Sequence, residues 1–180
     1  MSDKVIKIGG ASGYWGDTAL GPKQLISYGG VDYLILDYLA EITMSILAKA
    51  RSRDPEAGYA TDFIERVMKP WVRDIADKRI KVIANAGGVN LEACRRALEA
   101  VAEEAGVTLK IGTVEGDNLL ERADELRGKD LREMETGAPM PDKVMSVNAY
   151  LGAFPIAAAL DAGADIVVTG RCVDSALAVG

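Results

Sequence analysis

The chain has 180 residues, of which 49% are hydrophobic and 27% charged, and its net charge is −6. This composition predicts one globular domain and excludes disordered and collagen-like chains, and the negative charge argues against a nucleic-acid binder. The chain contains no His and two Cys. Ser-His-Asp and Cys-His catalysis and a His metal site are therefore excluded within these residues, and two Cys do not form a zinc site alone. We assign no metal ligands and leave the cofactor unknown.

Six short apolar runs, several of them rich in Val and Ile, alternate with helical patterns. Such runs are typical of parallel strands covered on both faces, and a repeated strand-then-helix order predicts right-handed crossovers. We predict an α/β fold with a mainly parallel sheet of about six strands and flanking helices, or alternatively part of a β/α barrel. The predicted strands cover residues 5–8, 33–36, 81–84, 108–114, 143–147 and 165–169.

Four longer helical patterns lie between the strands. The clearest is 91–105, with Asn90 as N-cap and Gly106 just past its end. The pattern over 61–78 contains Pro70, which should kink or split the helix. A third helix is predicted over 154–162, with a Pro in its first turn.

The fourth pattern, over residues 38–50, places four apolar residues on one stripe, with Asp37 poised to cap the helix. The residues of this stripe are Leu39, Ile42, Ile46 and Ala50.

The last predicted strand leads into a loop and a helical start over 175–179 that stops almost at once. So short a helix is marginal. We therefore interpret residues 1–180 as a single α/β domain forming the N-terminal part of a longer protein, with a frayed native end as the alternative. No apolar run approaches the length of a membrane helix, and the N-terminus lacks a signal-peptide pattern. We expect a cytoplasmic protein.

Gly, Asn, Asp and Ser crowd the segments that follow the six strands. In a parallel sheet these segments share the carboxyl edge, where ligands bind, and glycine lets backbone N–H groups approach a ligand. Turns and helix caps alone would explain any one of these loops, but they explain the long glycine-dense first loop less well. The candidate ligand-binding residues are Gly9, Gly10, Ser12, Gly13, Gly16, Asn85, Gly87, Gly88, Asn90, Asp117, Asn148 and Arg171.

Carboxylates are the candidates for proton transfer, because burial in a cleft raises a carboxyl pKa toward the working range. Arg171 could hold a carboxylate or phosphate through two parallel hydrogen bonds. The plain alternatives are that Asp37 and Asp174 cap helices and that Arg171 only pins loops. Cys172 is more readily explained as a small buried residue than as a nucleophile. The candidate catalytic residues are Asp17, Asp37, Glu41 and Asp174.

The first loop also has the spacing of a nucleotide-binding fingerprint. Gly10, Gly13 and Gly16 form a G-x-x-G-x-x-G pattern after a strand, and Asp37 ends the next strand. However, Pro22 would interrupt the helix that should follow, and no Tyr-x-x-x-Lys pair is present. An NAD(P)-dependent oxidoreductase is therefore an alternative.

Five ordered segments carry a resemblance to a known family, namely 8–17, 37–44, 85–90, 148–153 and 163–177. They resemble the N-terminal region of the acyclic terpene utilisation (AtuA-like) family over nearly the whole chain. The resemblance implies a role in the breakdown of citronellol- and geraniol-type terpenes through acyl-CoA intermediates, and a parent protein longer than this chain.

We therefore expect a catabolic enzyme, or its ligand-binding part, that acts on an acyl-CoA or branched carboxylic acid. Addition or removal of water, a hydratase or lyase reaction, would suit carboxylates beside Arg171. The expected partner is a small acidic ligand rather than nucleic acid or a membrane. A non-catalytic subunit of a partner enzyme, and a homo-oligomer, stay open.

Overall fold

Apolar runs rich in Val and Ile form the interior of a five-stranded parallel sheet. The computed structural model describes residues 5–180, so the sequence pattern over residues 1–4 lies outside it. The strands run in the order β1-β2-β3-β5-β4, and every neighbouring pair is parallel. The strand bounds are β1 Ile8–Ser12, β2 Tyr33–Leu36, β3 Lys81–Ala84, β4 Ile111–Val114 and β5 Ile166–Thr169.

The predicted α/β fold with a parallel sheet is confirmed, but the strand count is five rather than about six. The predicted strand over 143–147 is wrong, since this segment is irregular and none of its residues is buried. It meets the loop after β4 only at its end, through an isolated antiparallel bridge between Asn118 and Asn148. The barrel alternative stays a prediction, because the described chain supplies only these five strands.

The first strand lies further along the chain than predicted. It begins at Ile8 and includes Gly9, Gly10 and Ser12, which we expected in a loop. Gly9 pairs with Leu34 and Gly10 with Ile35 of β2. The run of apolar side chains in the sequence stops at Ile8 because glycine has no side chain. The backbone of Gly9 and Gly10 nevertheless pairs with β2 as the backbone of any other residue would.

The helices connect the strands as expected for crossovers. They are α1 Leu20–Gln24, α2 Glu41–Arg51, α3 Lys69–Lys78, α4 Leu91–Ala105, α5 Ala123–Gly128, α6 Phe154–Asp161 and α7 Ala176–Val179. Two π-helical segments, Leu25–Gly29 and Phe63–Met68, and a short 3-10 turn, Leu120–Arg122, complete them. Residues 61–78 are helical throughout, as predicted, and Pro70 changes the type of helix rather than ending it, since the π-helical segment ends at Met68 and Pro70 lies in the first turn of α3. Among these helices, none in the described chain is long and apolar enough to cross a membrane.

The predicted stripe of α2 is wrong. The helix begins at Glu41, its N-cap is Ala40, and Asp37 does not cap it. Ile42 and Ile46 are 72% and 50% exposed. The buried side is formed instead by Thr43, Met44, Leu47 and Ala48. Apolar residues lie on two sides of this helix at similar spacing, so the packing of the sheet decided which side faces inward.

Two apolar clusters cover the two faces of the sheet. The larger contains Ile166 and Val168 of β5 with Leu98 of α4, and the smaller contains Val167 of β5 with Ile156 of α6. Alternate residues of one strand thus face opposite layers, as strand geometry requires. Helix α7 also packs on the smaller cluster. The chain therefore leaves β3 along one face of the sheet and leaves β5 along the other.

Candidate active site

The candidate site lies at the carboxyl ends of β2, β3 and β5. Neighbouring strands β3 and β5 send their following helices, α4 and α7, to opposite faces of the sheet. A crevice forms outside the carboxyl ends of such a strand pair, and open α/β sheets bind ligands there. Gly87 joins the carboxyl ends of β3 and β5, because its N–H donates to the Thr169 carbonyl at 3.0 Å.

Arg171 is the central charge of the site. Its side chain is only 5% exposed. Nη1 donates to the Cys172 carbonyl and to Asp174 Oδ1, each at 3.0 Å, and Nη2 lies 3.5 Å from Glu41 Oε1. Nε is buried and has no hydrogen-bond partner among residues 5–180. Buried charged groups are normally fully hydrogen-bonded, so this guanidinium has unused binding capacity.

Tyr150 covers the guanidinium of Arg171. Its ring centroid lies 4.2 Å from Cζ, a cation–π contact, and its hydroxyl donates to Glu41 Oε1. This hydrogen bond, with the nearby Arg171 charge, holds the pKa of Glu41 below its usual range. Glu41 is 78% exposed at its side chain, so it is an ionised carboxylate at the solvent-facing end of the cluster.

Asp37 has the opposite electrostatic environment. It follows β2 and accepts a 2.5 Å hydrogen bond from Asn85 Nδ2, while Asn85 Oδ1 accepts from the Tyr38 N–H at 2.7 Å. Partial burial raises the pKa of Asp37, and the nearby Asp174 charge raises it further. Asn85 thus orients Asp37. Both polar atoms of the Asn85 side chain already have partners within the protein.

The Asp117 carboxylate binds the backbone of Arg171. Its Oδ2 accepts hydrogen bonds from the Arg171 N–H at 2.8 Å and from Asn148 Nδ2 at 2.9 Å. Burial raises the pKa of Asp117. A Cβ at Gly170 would lie 2.3 Å from Asp117 Oδ1, so only glycine fits between this carboxylate and Arg171.

The end of β1 lies next to Asp37, and the loop that follows it carries Asp17. The Ser12 hydroxyl donates to the Asp37 carbonyl at 3.4 Å. Asp17 is turned to its own loop, where it accepts from the N–H groups of Gly13 and Thr18, and these bonds lower its pKa. Gly16 has a φ of 97°, which favours glycine. Asp17 therefore acts as a loop clamp in this structure and makes no hydrogen bond or ion pair with Glu41, Arg171 or Asp174 among the described contacts.

A second cleft, of about 380 Å³, lies between the loops after β3 and β4. Glu92, Glu115, Asp117 and Glu121 line it, facing the single cation Arg51. Its lining, four carboxylates and one arginine, does not favour an anion, whereas the Arg171 cluster offers a buried Nε–H that has no partner among residues 5–180.

Two candidate ligand-binding residues beside this cleft have structural contacts. Asn90 caps α4 and its Nδ2 donates to the Pro55 and Ala57 carbonyls. Gly88 allows the carbonyl of Gly58 to approach closely, at 2.5 Å from where a Cβ would lie.

The two cysteines are buried and reduced. Burial raises the pKa of the Cys172 thiol, which agrees with its interpretation as a small buried residue rather than a nucleophile. Across the part of the chain that the structure describes, no three His, Cys, Asp or Glu side chains group as metal ligands.

The structure thus brings together Asp37, Glu41, Arg171 and Asp174, and sets Asp17 apart. Sequence reasoning missed Tyr150 and Gly170. The available signal for Tyr150 was its position two residues after Asn148, in one of the loops that follow the predicted strands. Nothing in the sequence indicates the contact between Gly170 and Asp117, because they lie 53 positions apart along the chain.

The sequence matches one known protein family. Residues 6–180 match the model of the family described as "Acyclic terpene utilisation family protein AtuA". No curated protein and no solved structure matched the chain. Since the match covers nearly all of the sequence, the chain belongs to the acyclic terpene utilisation family AtuA.

Proposed function

We propose that the protein acts in acyclic terpene catabolism on an acyl-CoA or branched carboxylic acid, and that it adds or removes water. The observation that carries this proposal is the placement of three carboxylates, Asp37, Glu41 and Asp174, around the buried guanidinium of Arg171. The guanidinium would hold a small acidic ligand, and the carboxylates would move protons.

The opposite pKa directions of Asp37 and Glu41 support an acid–base assignment. Two carboxyl groups whose pKa values are pushed apart are suited to complementary roles. Asp37, with its raised pKa, would give a proton to a leaving hydroxyl group, and ionised Glu41 would take a proton from the neighbouring carbon. The two steps together release one water molecule and form a C=C bond, and hydration is the reverse.

Ligand binding tests the first part of this proposal. The full chain should show a raised melting temperature with a branched acyl-CoA or free acid, because a ligand that binds only the folded state stabilises it. NAD(P) serves as a parallel arm for the oxidoreductase alternative. Absence of a shift with all of these compounds would overturn the proposal.

Loss of enoyl absorbance with a branched enoyl-CoA or enoic acid tests the reaction. Asp37→Asn should lower kcat by about 10²–10⁴-fold, the usual contribution of a positioned proton-transfer group. Asp161→Asn, an exposed change of the same kind at the end of α6, should leave kcat unchanged. Equal rates for both variants would exclude Asp37 from the chemistry.

A non-catalytic subunit is the second candidate. The exposed Ile42 and Ile46 on the outer side of α2 favour it, because two apolar side chains one helical turn apart offer a surface that a partner chain would bury. Co-purification from the native host tests it, and a stoichiometric partner that alone carries the activity would support this role over the catalytic one.

A further inference from the structure

The guanidinium of Arg171 is satisfied on one side only. An arginine side chain carries five N–H donors in a planar fork. The two hydrogens of Nη1 are used by the Cys172 carbonyl and Asp174 Oδ1, both at 3.0 Å. Nε has no partner among residues 5–180, and Nη2 has a single contact at 3.5 Å, the outer limit of a hydrogen bond. The unsatisfied groups therefore form one edge, Nε with Nη2.

This edge has the shape that recognises a carboxylate. The Nε–H and one Nη2–H of a guanidinium point in parallel, and a planar anion with two oxygens accepts both. A buried donor without an acceptor is unfavourable, so an acceptor placed there stabilises the folded protein. The side chain is 5% exposed and pinned at Nη1, which fixes the direction of the edge.

Glu41 is a poorly seated occupant of this edge. Only its Oε1 approaches, and only toward Nη2, while its side chain is 78% exposed. The Tyr150 hydroxyl holds the same oxygen, and the Tyr150 ring covers the face of the guanidinium rather than its edge. Glu41 can therefore lose its contact with Nη2 and stay in the site, because its exposed carboxylate keeps the hydrogen bond from the Tyr150 hydroxyl.

We propose that the Nε–Nη2 edge of Arg171 binds a free carboxylate of the ligand in two-pronged fashion, and that Glu41 leaves Nη2 as it binds. This inference rests on the proposed function and narrows its ligand to a branched acid presented as its free carboxylate. The acyl end of a CoA thioester has no anionic oxygen, so it does not bind this edge as a carboxylate does. The phosphates of CoA are anionic and could bind a guanidinium instead.

Calorimetric titration of the full chain with 3-methylbut-2-enoate, its primary amide, its CoA thioester and CoA alone separates these ligands. The free acid should bind and the amide should not, since the amide replaces one acceptor oxygen with a donor. Arg171→Lys should weaken binding of the acid by about tenfold or more, because an ammonium lacks the planar fork.

Two further measurements do not depend on the folding of the Arg171 variant. Glu41→Gln removes the competing charge and should strengthen binding of the acid about threefold, while Glu65→Gln, an exposed change of equal charge on the far π-helical segment, should have no effect. In the unaltered protein, the Nε–H resonance of Arg171 should shift on addition of the acid.

The outcomes distinguish this inference from the function on which it rests. Binding of the acid with no Nε–H shift, or with Arg171→Lys unaffected, would overturn the inference. Binding of the thioester or of CoA without the acid would overturn it and leave the proposed function standing. Failure of all four compounds to bind would overturn both.

Discussion

At the scale of single residues, the site depends on contacts that each involve one atom pair. Arg171 is positioned by its own backbone N–H on Asp117 and by its Nη1 on Asp174. A substitution that leaves Asp117 and Asp174 unchanged can still disturb the site if it moves the backbone at the end of β5. Gly170 lies at this end, directly before Arg171.

Gly170→Ala should destabilise the protein by about 1–3 kcal/mol, because the added Cβ would lie 2.3 Å from Asp117 Oδ1 and over-packing of this kind forces the backbone apart. Urea unfolding followed by circular dichroism measures the loss. Gly152→Ala is the matched control, since no atom lies within 4 Å of its added Cβ, and it should change stability by less than about 0.5 kcal/mol. Equal effects of the two changes would contradict the packing at Gly170.

Asp37 gives a pH dependence whose sign follows from its raised pKa. The folded protein holds a proton on Asp37 more readily than the unfolded chain does, so stability is lost as the pH rises from the ordinary value of 3.8 through the raised folded value. Asp37→Asn has no such proton to lose. Its free energy of unfolding relative to the unaltered protein should therefore increase across this interval and level off above it.

Urea titrations from about pH 3 to about pH 7 measure that difference. Taking the difference removes the contribution of Asp117, whose pKa is also raised. Asp161→Asn controls for the loss of an exposed carboxylate. If the difference in the free energy of unfolding stayed constant with pH, the pKa of Asp37 would not be raised by folding, and its partial burial would be contradicted.

At the scale of secondary-structure elements, the N-cap residue of α4, Asn90, has two roles. Asn90 Oδ1 caps the helix at the Ala93 N–H, 3.4 Å away. Its Nδ2 donates to the Pro55 and Ala57 carbonyls at 2.8 and 2.7 Å, which ties the loop after α2 to the carboxyl edge of β3. The two roles can be separated by substitution. A Ser hydroxyl can cap the helix, but it has no amide N–H to donate to the loop carbonyls.

Asn90→Ala should cost about 1–3 kcal/mol of stability, since both the cap and the two loop hydrogen bonds are lost. Asn90→Ser should keep the cap and lose only the tie, giving an intermediate value with faster proteolysis of the loop over residues 52–59. Urea midpoints and limited proteolysis measure the two effects. A Ser variant as stable as the unaltered protein, with an equally resistant loop, would contradict the tie.

Most element bounds could be predicted because they depend on local patterns. Helix α4 with its Asn90 and Gly106 ends, and strands β2 and β3, agree with the sequence prediction. The start of β1 and the buried side of α2 could not be predicted. Backbone pairing of glycines and the choice between two apolar sides are decided by neighbouring elements that are distant in the sequence.

At the scale of the whole molecule, stability is concentrated in the centre of the sheet. Val82 and Ala84 of β3 and Val167 and Val168 of β5 are fully buried, whereas every residue from 128 to 139 is exposed. Amide hydrogens exchange by local opening where few buried contacts oppose it, and by global unfolding in the core.

Hydrogen exchange followed by mass spectrometry should therefore label residues 128–142 earliest and β3 and β5 last. Protection of the central strands should fall in step with the free energy of unfolding when urea is added, while labelling of 128–142 should not change. Equal protection of the two regions would contradict the packing described for the sheet.

The sequence by itself determined the α/β class, the parallel strands and the carboxyl edge as the place of the candidate site. Each of these follows from hydrophobic periodicity and from the positions of Gly, Asn and Asp along the chain. Only the tertiary structure decided that Asp37, Glu41 and Asp174 gather around Arg171 while Asp17 does not, that Tyr150 covers the guanidinium, and that its Nε–Nη2 edge is left unsatisfied. The physical reason is that side-chain partnership depends on strand order and loop direction, which join residues up to 130 positions apart.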